Sequence, residues 1–212
     1  MVALGPAAEG GLIVKIVDAE TMARIDARST AEYGIASADL MEAAGRQGYL
    51  RMKEAVWRGS PPPGLLLFVA GRGANGGDAF VIARHARLDG ADAAVLLASG
   101  RPPEGTDAAA NLASCESLGI PCTSWPGARE SAERLIASAA WLFDGIAGTG
   151  LRGPLRAPLD ALTAALNASP GHRAAIDVPS GLGDGYRDAW PVVHADCTLT
   201  MGLPKACLFL PR

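Results

Sequence analysis

Short unbroken apolar runs alternate along this chain with longer stretches in which apolar residues recur every three or four positions. Leu65–Ala70 is the clearest run, six apolar residues in a row, and it predicts a strand buried on both faces. Ala93–Ala98, Trp141–Asp144, Ala174–Val178 and Cys197–Met201 read the same way, with a shorter strand candidate at Ile120–Thr123. Helical spacing fills the gaps: from Asp78 to about Leu88, near 105–118, near 128–139, and over about Leu155–Asn167. Upstream, Asp18 is placed to cap a helix that turns Met22 and Ile25 to one face. Ser37 is placed to cap a second helix with Leu40, Met41, Ala44 and Ala55 inward, and Pro61-Pro62-Pro63-Gly64 halts it. The Gly/Ala-rich residues 1–11 are expected to fray. Strands alternating with helices predict βαβ crossovers, hence an α/β fold with a mostly parallel sheet covered on both faces.

Length and composition narrow the class. A chain of 212 residues fits one domain, and 49% hydrophobic against 19% charged residues supplies a full core. A net charge of −3 and only 5% aromatic residues give neither the basic footprint nor the stacking surface that nucleic acid calls for. The longest apolar run is far below the ~20 residues that span a bilayer, and the N-terminus carries neither a basic region nor a sustained apolar stretch of a secretory signal. Cys115, Cys122, Cys197 and Cys207 form no C-x-x-C pair, and with three histidines no zinc spacing arises. They are expected as buried or half-buried thiols of a cytoplasmic protein.

Two glycine loops carry the candidate chemistry. Gly71-Arg72-Gly73-Ala74-Asn75-Gly76-Gly77-Asp78 follows the first strong strand and satisfies G-x-G-x-x-G, the spacing that lets backbone N–H groups approach a phosphate at a helix start. The same glycines also suit a tight turn with no ligand. A dinucleotide fold of the ordinary oxidoreductase kind wants a carboxylate at the end of the next strand, and Leu96-Leu97-Ala98-Ser99-Gly100 has none. The second loop, Asp144-Gly145-Ile146-Ala147-Gly148-Thr149-Gly150-Leu151-Arg152-Gly153-Pro154, again leaves a strand, with Pro154 expected in the first turn of a helix. Thr149 and Arg152 offer a hydroxyl and a positive charge to a pyrophosphate, although Arg152 also reads as a solvated surface charge.

A third element, Asp177-Val178-Pro179-Ser180-Gly181, ends a further strand. Asn75, Asp144, Asp177 and Ser180 thus all bear oxygen at or just past strand ends. If they converge, an oxygen-only set with few acids suits a hard monovalent cation better than zinc. Asp144 alone also reads as a turn cap.

These segments together carry a family resemblance. GRGANGGDAFVIARH after a strand, FDGIAGTGLRGP and IDVPSG, in that order, resemble the NAD(P)H-hydrate epimerases, as do DAETMARID, LMEAAGR and TMGLPKACL. The similarity runs from about residue 16 to the end. It implies a Rossmann-like three-layer αβα sandwich that epimerises hydrated NADH or NADPH, so that a companion NAD(P)H-hydrate dehydratase can use either form. By residue, it implies substrate contacts from Ala74, Asn75, Gly76, Gly77 and Asp78, from Gly148, Thr149, Gly150, Leu151, Arg152, Gly153 and Pro154, and from Asp177. It implies potassium (K+) at Asn75, Asp144 and Ser180, and a homodimer.

Asp177 is expected as the catalytic acid and base. Two departures stand out: Ala74 and Ala43 occupy positions where the family usually has Asn. The sequence reaches Arg212 just after Pro204-Lys205, where relatives continue into another strand, so a fragment or a covered sheet edge is expected. A non-catalytic binding or dimerisation scaffold of the same fold is the competing expectation.

Overall fold

The computed structural model describes residues 14–209; the fraying expected of residues 1–11 lies outside them. Six strands pair in parallel into one sheet: β1 (Leu65–Ala70), β2 (Ala93–Leu97), β3 (Cys122–Ser124), β4 (Ala139–Gly145), β5 (His172–Ile176) and β6 (Cys197–Leu199). Their order is β3-β2-β1-β4-β5-β6. The chain therefore winds outward from β1 to one edge, returns, and winds outward from β4 to the other. Such a reversal leaves a crevice beyond the carboxyl ends of β1 and β4, because the connections that follow them diverge to opposite faces.

Alternation along β1 divides the core. Leu66, Phe68 and Ala70 join one cluster with Phe80, Ile82 and Phe143, under helices α2 (Ser37–Arg51), α3 (Ala74–Leu88) and α4 (Asp107–Ser117). Leu67 and Val69 join the other with Leu142, Ile136, Leu162 and Leu166, under α5 (Arg129–Ser138) and α6 (Leu159–Ala168). The α/β expectation, a three-layer sandwich on a parallel sheet, is thereby met. Phe68 and Phe143 stack across the β1–β4 pair at 4.6 Å between ring centroids, locking the two central strands. The cysteines match their expected burial: Cys115 and Cys207 are buried, Cys122 and Cys197 half-buried.

Several boundaries differ from the sequence expectation. Helix α1 (Ala19–Tyr33) starts at its Asp18 cap, whose carboxylate accepts from the Thr21 N–H, yet only Met22 is buried; Ile25 stays 37% exposed. Met22 packs so close to Gly202 that a Cβ there would sit 2.8 Å from its Cε. Ser37 does not cap α2: Ala36 holds that position, and the Ser37 hydroxyl donates to Asp107 at 2.6 Å instead. A π-helical turn, Met52–Val56, follows α2. Its extra residue rotates the phase, so Met52 is buried and Ala55 is exposed.

Helix α3 starts at Ala74 rather than Asp78, because Gly76 and Gly77 serve close packing inside a helix rather than an open turn. Helix α6 starts at Leu159 behind Pro158, which leaves Pro154 in the preceding loop. Strand β3 begins later than Ile120, β4 extends beyond Trp141–Asp144 at both ends, β5 stops before Asp177, and β6 ends at Leu199.

Glycine also sets the spacing of α2 on α3. A Cβ on Gly45 would sit 2.5 Å from Val81 Cβ and 3.2 Å from the Asp78 carbonyl, so a methyl group there forces the helices apart. Gly45→Ala is expected to destabilise the fold by about 1–3 kcal/mol despite the better helix former. A lowered urea midpoint at constant slope is the readout, and an unchanged or raised midpoint refutes the packing account.

Candidate functional site

The two glycine loops meet at the crevice because Gly71 has no side chain where it crosses the backbone of Ile146. A Cβ on Gly71 would lie 1.9 Å from the Ile146 carbonyl oxygen, and one on Gly76 would lie 2.0 Å from the Gly71 carbonyl oxygen. The Gly71 N–H donates to the Gly145 carbonyl at 2.9 Å, stitching the end of β1 to the end of β4. This close approach puts the first turn of α3 at the crevice, and a helix leaves the N–H groups of its first turn without intrahelical partners.

Asp144, the penultimate residue of β4, is buried and ties that strand to the loop after β5. Its carboxylate accepts from the Ser180 N–H at 2.7 Å, the Ser180 hydroxyl at 2.5 Å and the Ile146 N–H at 3.3 Å. Ser180 Oγ in turn accepts from the Ala147 N–H at 2.9 Å. Burial pushes the Asp144 carboxyl up to about 6, while these hydrogen bonds pull it back toward the ionised form. These bonds are the turn-capping role expected of Asp144 alone.

Asp177 follows β5 at φ 69°, a backbone conformation uncommon for a residue with a side chain. The Val178 N–H donates across it to the Ile176 carbonyl at 2.9 Å, which closes a three-residue turn with Asp177 at its apex. Strain of this kind collects where the surroundings dictate a side chain's direction. One carboxylate oxygen, Oδ1, accepts from the Met201 N–H at 3.4 Å and pairs with the ammonium of Lys205. The other, Oδ2, lies 3.1 Å from where a Cβ on Gly148 would stand, and Asn75 Oδ1 lies 3.4 Å from the same point. Gly148 is therefore bare where Asp177 and Asn75 converge.

The amide of Asn75 is buried and neither its oxygen nor its nitrogen has a protein partner. An unpaired buried amide is costly, so this one is built to meet something else.

The expected residues thus fall into groups. Asn75, Gly148 and Asp177 come together, as do Asp144 and Ser180. Asp78 is close enough to Asp177 to feel its charge. Thr149, Leu151, Arg152 and Gly153 line a separate opening of about 250 Å³ with Asp184 and Trp190. Arg152 is exposed at its rim; Ala74 and Gly150 are exposed, and Pro154 is half-buried. Gly76 and Gly77 are buried in the packing of α3.

Lys205 is absent from the expected set, although it lies in TMGLPKACL, one of the segments that resemble the family; a lysine amid the apolar stretch Leu203-Pro204-Lys205-Ala206-Cys207-Leu208 also fits a surface charge. Among the described residues, no three His, Cys, Asp or Glu side chains gather as a metal cluster, and no helix is long and apolar enough to cross a membrane.

Residues 37–207 match the model of the YjeF-related protein N-terminus family. The chain belongs to that family. A relative from Rhodopirellula baltica named NAD(P)H-hydrate epimerase is 35% identical, over 85% of this chain and 72% of its own length. One of the same name from Pirellula staleyi is 33% identical, over 91% of this chain and 84% of its own. The "Bifunctional NAD(P)H-hydrate repair enzyme Nnr" of Salinibacter ruber is 35% identical over 91% of this chain, which spans only 37% of that longer protein. The crystal structure of yeast ynu0 superposes with a TM-score of 0.79 at 22% identity, covering 92% of this chain and 83% of that one, which establishes the shared fold.

Electrostatics of the site leave a signature in stability. The Asp78 carboxyl is pushed from 3.8 to about 8, first by burial, then by the neighbouring Asp177 charge, with Lys205 opposing. Between those two values the native state holds a proton that the unfolded chain has released, so stability falls as pH rises through that window. Asp78→Asn should flatten this part of the slope. Urea unfolding at pH values near the two ends of the window, for both proteins, gives the answer; identical slopes contradict the protonated Asp78.

Proposed function

We propose that this chain is an NAD(P)H-hydrate epimerase, interconverting the R and S forms of hydrated NADH and NADPH. The observation that carries the reading is the convergence of the Asp177 carboxylate and the unpartnered Asn75 amide on the bare Gly148, at the crevice between β1 and β4. The names of the Rhodopirellula and Pirellula relatives support the same activity. The fused protein of Salinibacter supports a functional link to a dehydratase acting on the same hydrate. The scaffold alternative is not favoured, since it gives no reason for an orphaned amide beside a strained carboxylate. An ordinary hydride-transferring enzyme is disfavoured by the lack of a ribose-binding carboxylate after β2.

In this reading the hydrated carbon carries a hydroxyl next to the ring nitrogen. Asp177, in its acid form, gives its proton to the departing hydroxyl, which leaves as water while the nitrogen lone pair forms the iminium bond. The planar cation then takes water on its opposite face, and the proton released there returns to the Asp177 carboxylate through solvent. No proton is gained or lost over the cycle, and the configuration inverts. The first-turn N–H groups of α3, among them those of Asn75 and Gly76, take phosphate oxygens. Thr149, Leu151, Arg152 and Gly153 contact the remaining dinucleotide in their 250 Å³ opening.

The donor chemistry also fits potassium at Asn75, Asp144 and Ser180: all-oxygen, one carboxylate, and an amide oxygen that the protein leaves unpaired. Were potassium held by these residues, it would supply fixed positive charge against the buried Asp144 carboxylate and a partner for the unpaired Asn75 oxygen.

The test is epimer exchange on NADPH hydrate of one configuration, in potassium and then in tetramethylammonium. Exchange above the spontaneous rate is expected, and it should require potassium. Asp177→Asn should lose about 10²–10⁴-fold while binding survives. Wild-type turnover in that variant would sink the acid–base role. A folded chain that binds NADPH hydrate without exchanging it would restore the scaffold reading.

A further inference from the structure

Lys205 is 1% exposed, a cation sunk in the protein beside the residue proposed to move the proton. A buried ammonium needs compensation, and three oxygens supply it: Asp177 Oδ1, the Met201 carbonyl and, at 3.5 Å, Thr200 Oγ1. The backbone around Lys205 is fixed from another direction. Val17, ahead of α1, donates its N–H to the Pro204 carbonyl at 3.0 Å and accepts the Ala206 N–H at 2.8 Å. An extended N-terminal segment thus clamps both neighbours of the lysine, and its side chain points from that clamp to Asp177. The Asp177 N–H, meanwhile, is held by the Leu199 carbonyl at 2.7 Å.

The two oxygens of Asp177 therefore have different surroundings. Oδ1 is occupied by Lys205 and the Met201 N–H, whereas Oδ2 stands on the Gly148 and Asn75 side. A carboxylate on a strained three-residue turn has other directions open to it, and the lysine removes them.

We propose that Lys205 is a positioning residue: by engaging Oδ1 it presents Oδ2 of Asp177 to the crevice as the one oxygen that exchanges a proton with substrate. The inference rests on the epimerase reading for its chemistry, and on geometry alone for the arrangement of the carboxylate. A purely stabilising pair is the bland account, but a buried ion pair is often replaceable by apolar residues without loss of stability. Such a pair also has no reason to single out one oxygen of Asp177.

Two measurements test it. In epimer exchange, Lys205→Ala should lose about 100-fold in kcat with little change in KM, as expected when a reacting group swings away from substrate that still binds. Ethylammonium should recover part of the loss, and ethanol, similar in size but uncharged, should not. Unchanged kcat in a folded Lys205→Ala, or equal recovery by both additives, overturns the proposal.

The second measurement needs neither a stable variant nor activity: a crystal structure of the wild-type chain soaked with NADPH. Lys205 should remain on one oxygen of Asp177 while the other faces Asn75 and Gly148. A carboxylate turned to present the Lys205-bound oxygen to the crevice, or a lysine detached from it, overturns the proposal. Absence of exchange by the wild-type chain would count against the epimerase reading alone, and the crystallographic result would still decide the role of Lys205.

Discussion

Everything at this site depends on two backbones lying closer than any side chain permits. Gly71 passes under the Ile146 carbonyl, and Gly76 in the first turn of α3 passes under Gly71 itself. Because these contacts are backbone on backbone, they cannot be relieved by a rotamer change. They fix the loop after β1 against the loop after β4, and hence Asn75 against Gly148. In a sheet that winds outward both ways from β1 and β4, this is the one place where two strand ends open side by side with no crossover between them.

On that frame the site distributes charge unevenly among its carboxyl groups. Asp144 is fully sunk and bonded by Ser180 and Ile146, and so joins the β4 end to the turn after Asp177. Asp177 is held through one oxygen by a buried lysine. Asp78 has no such partner and pays for burial by keeping its proton. Asp78 feels both neighbours: burial and the Asp177 charge raise its carboxyl, while the Lys205 ammonium opposes them. The neighbouring amide of Asn75 is buried and unpaired on both its atoms.

Residue 17 reaches across to the backbone on either side of Lys205, so the first described segment and the last are joined directly behind Asp177. Helix α1 adds little apolar burial of its own beyond Met22. Its anchorage is its own Asp18 cap together with two contacts distant in the chain: the Ala19 N–H donating to Asp184 at 2.9 Å, and Met22 packed close to Gly202.

Much of this architecture follows from the sequence alone. Unbroken apolar runs such as Leu65–Ala70, six residues long and preceded by Pro61-Pro62-Pro63-Gly64, read as strands buried on both faces, and the helical spacing between them implies parallel crossovers. Glycine loops at the ends of β1 and β4 and the Asp-Val-Pro-Ser-Gly turn after β5 put Asn75, Asp144, Asp177 and Ser180 at strand ends, which is enough to nominate them. Local pattern fails where a distant group decides. Gly76 and Gly77 look like loop residues until Gly71 and Met41 are known to press on them from outside the helix. Ser37 looks like a cap until Asp107, seventy positions away, takes its hydroxyl. Only the tertiary structure separates Asp177 Oδ1 from Oδ2 or brings Lys205 to it. Those relations join β5, β6 and the N-terminal segment through contacts between residues far apart in the chain, and no periodicity along the chain encodes which side chain waits on the other side.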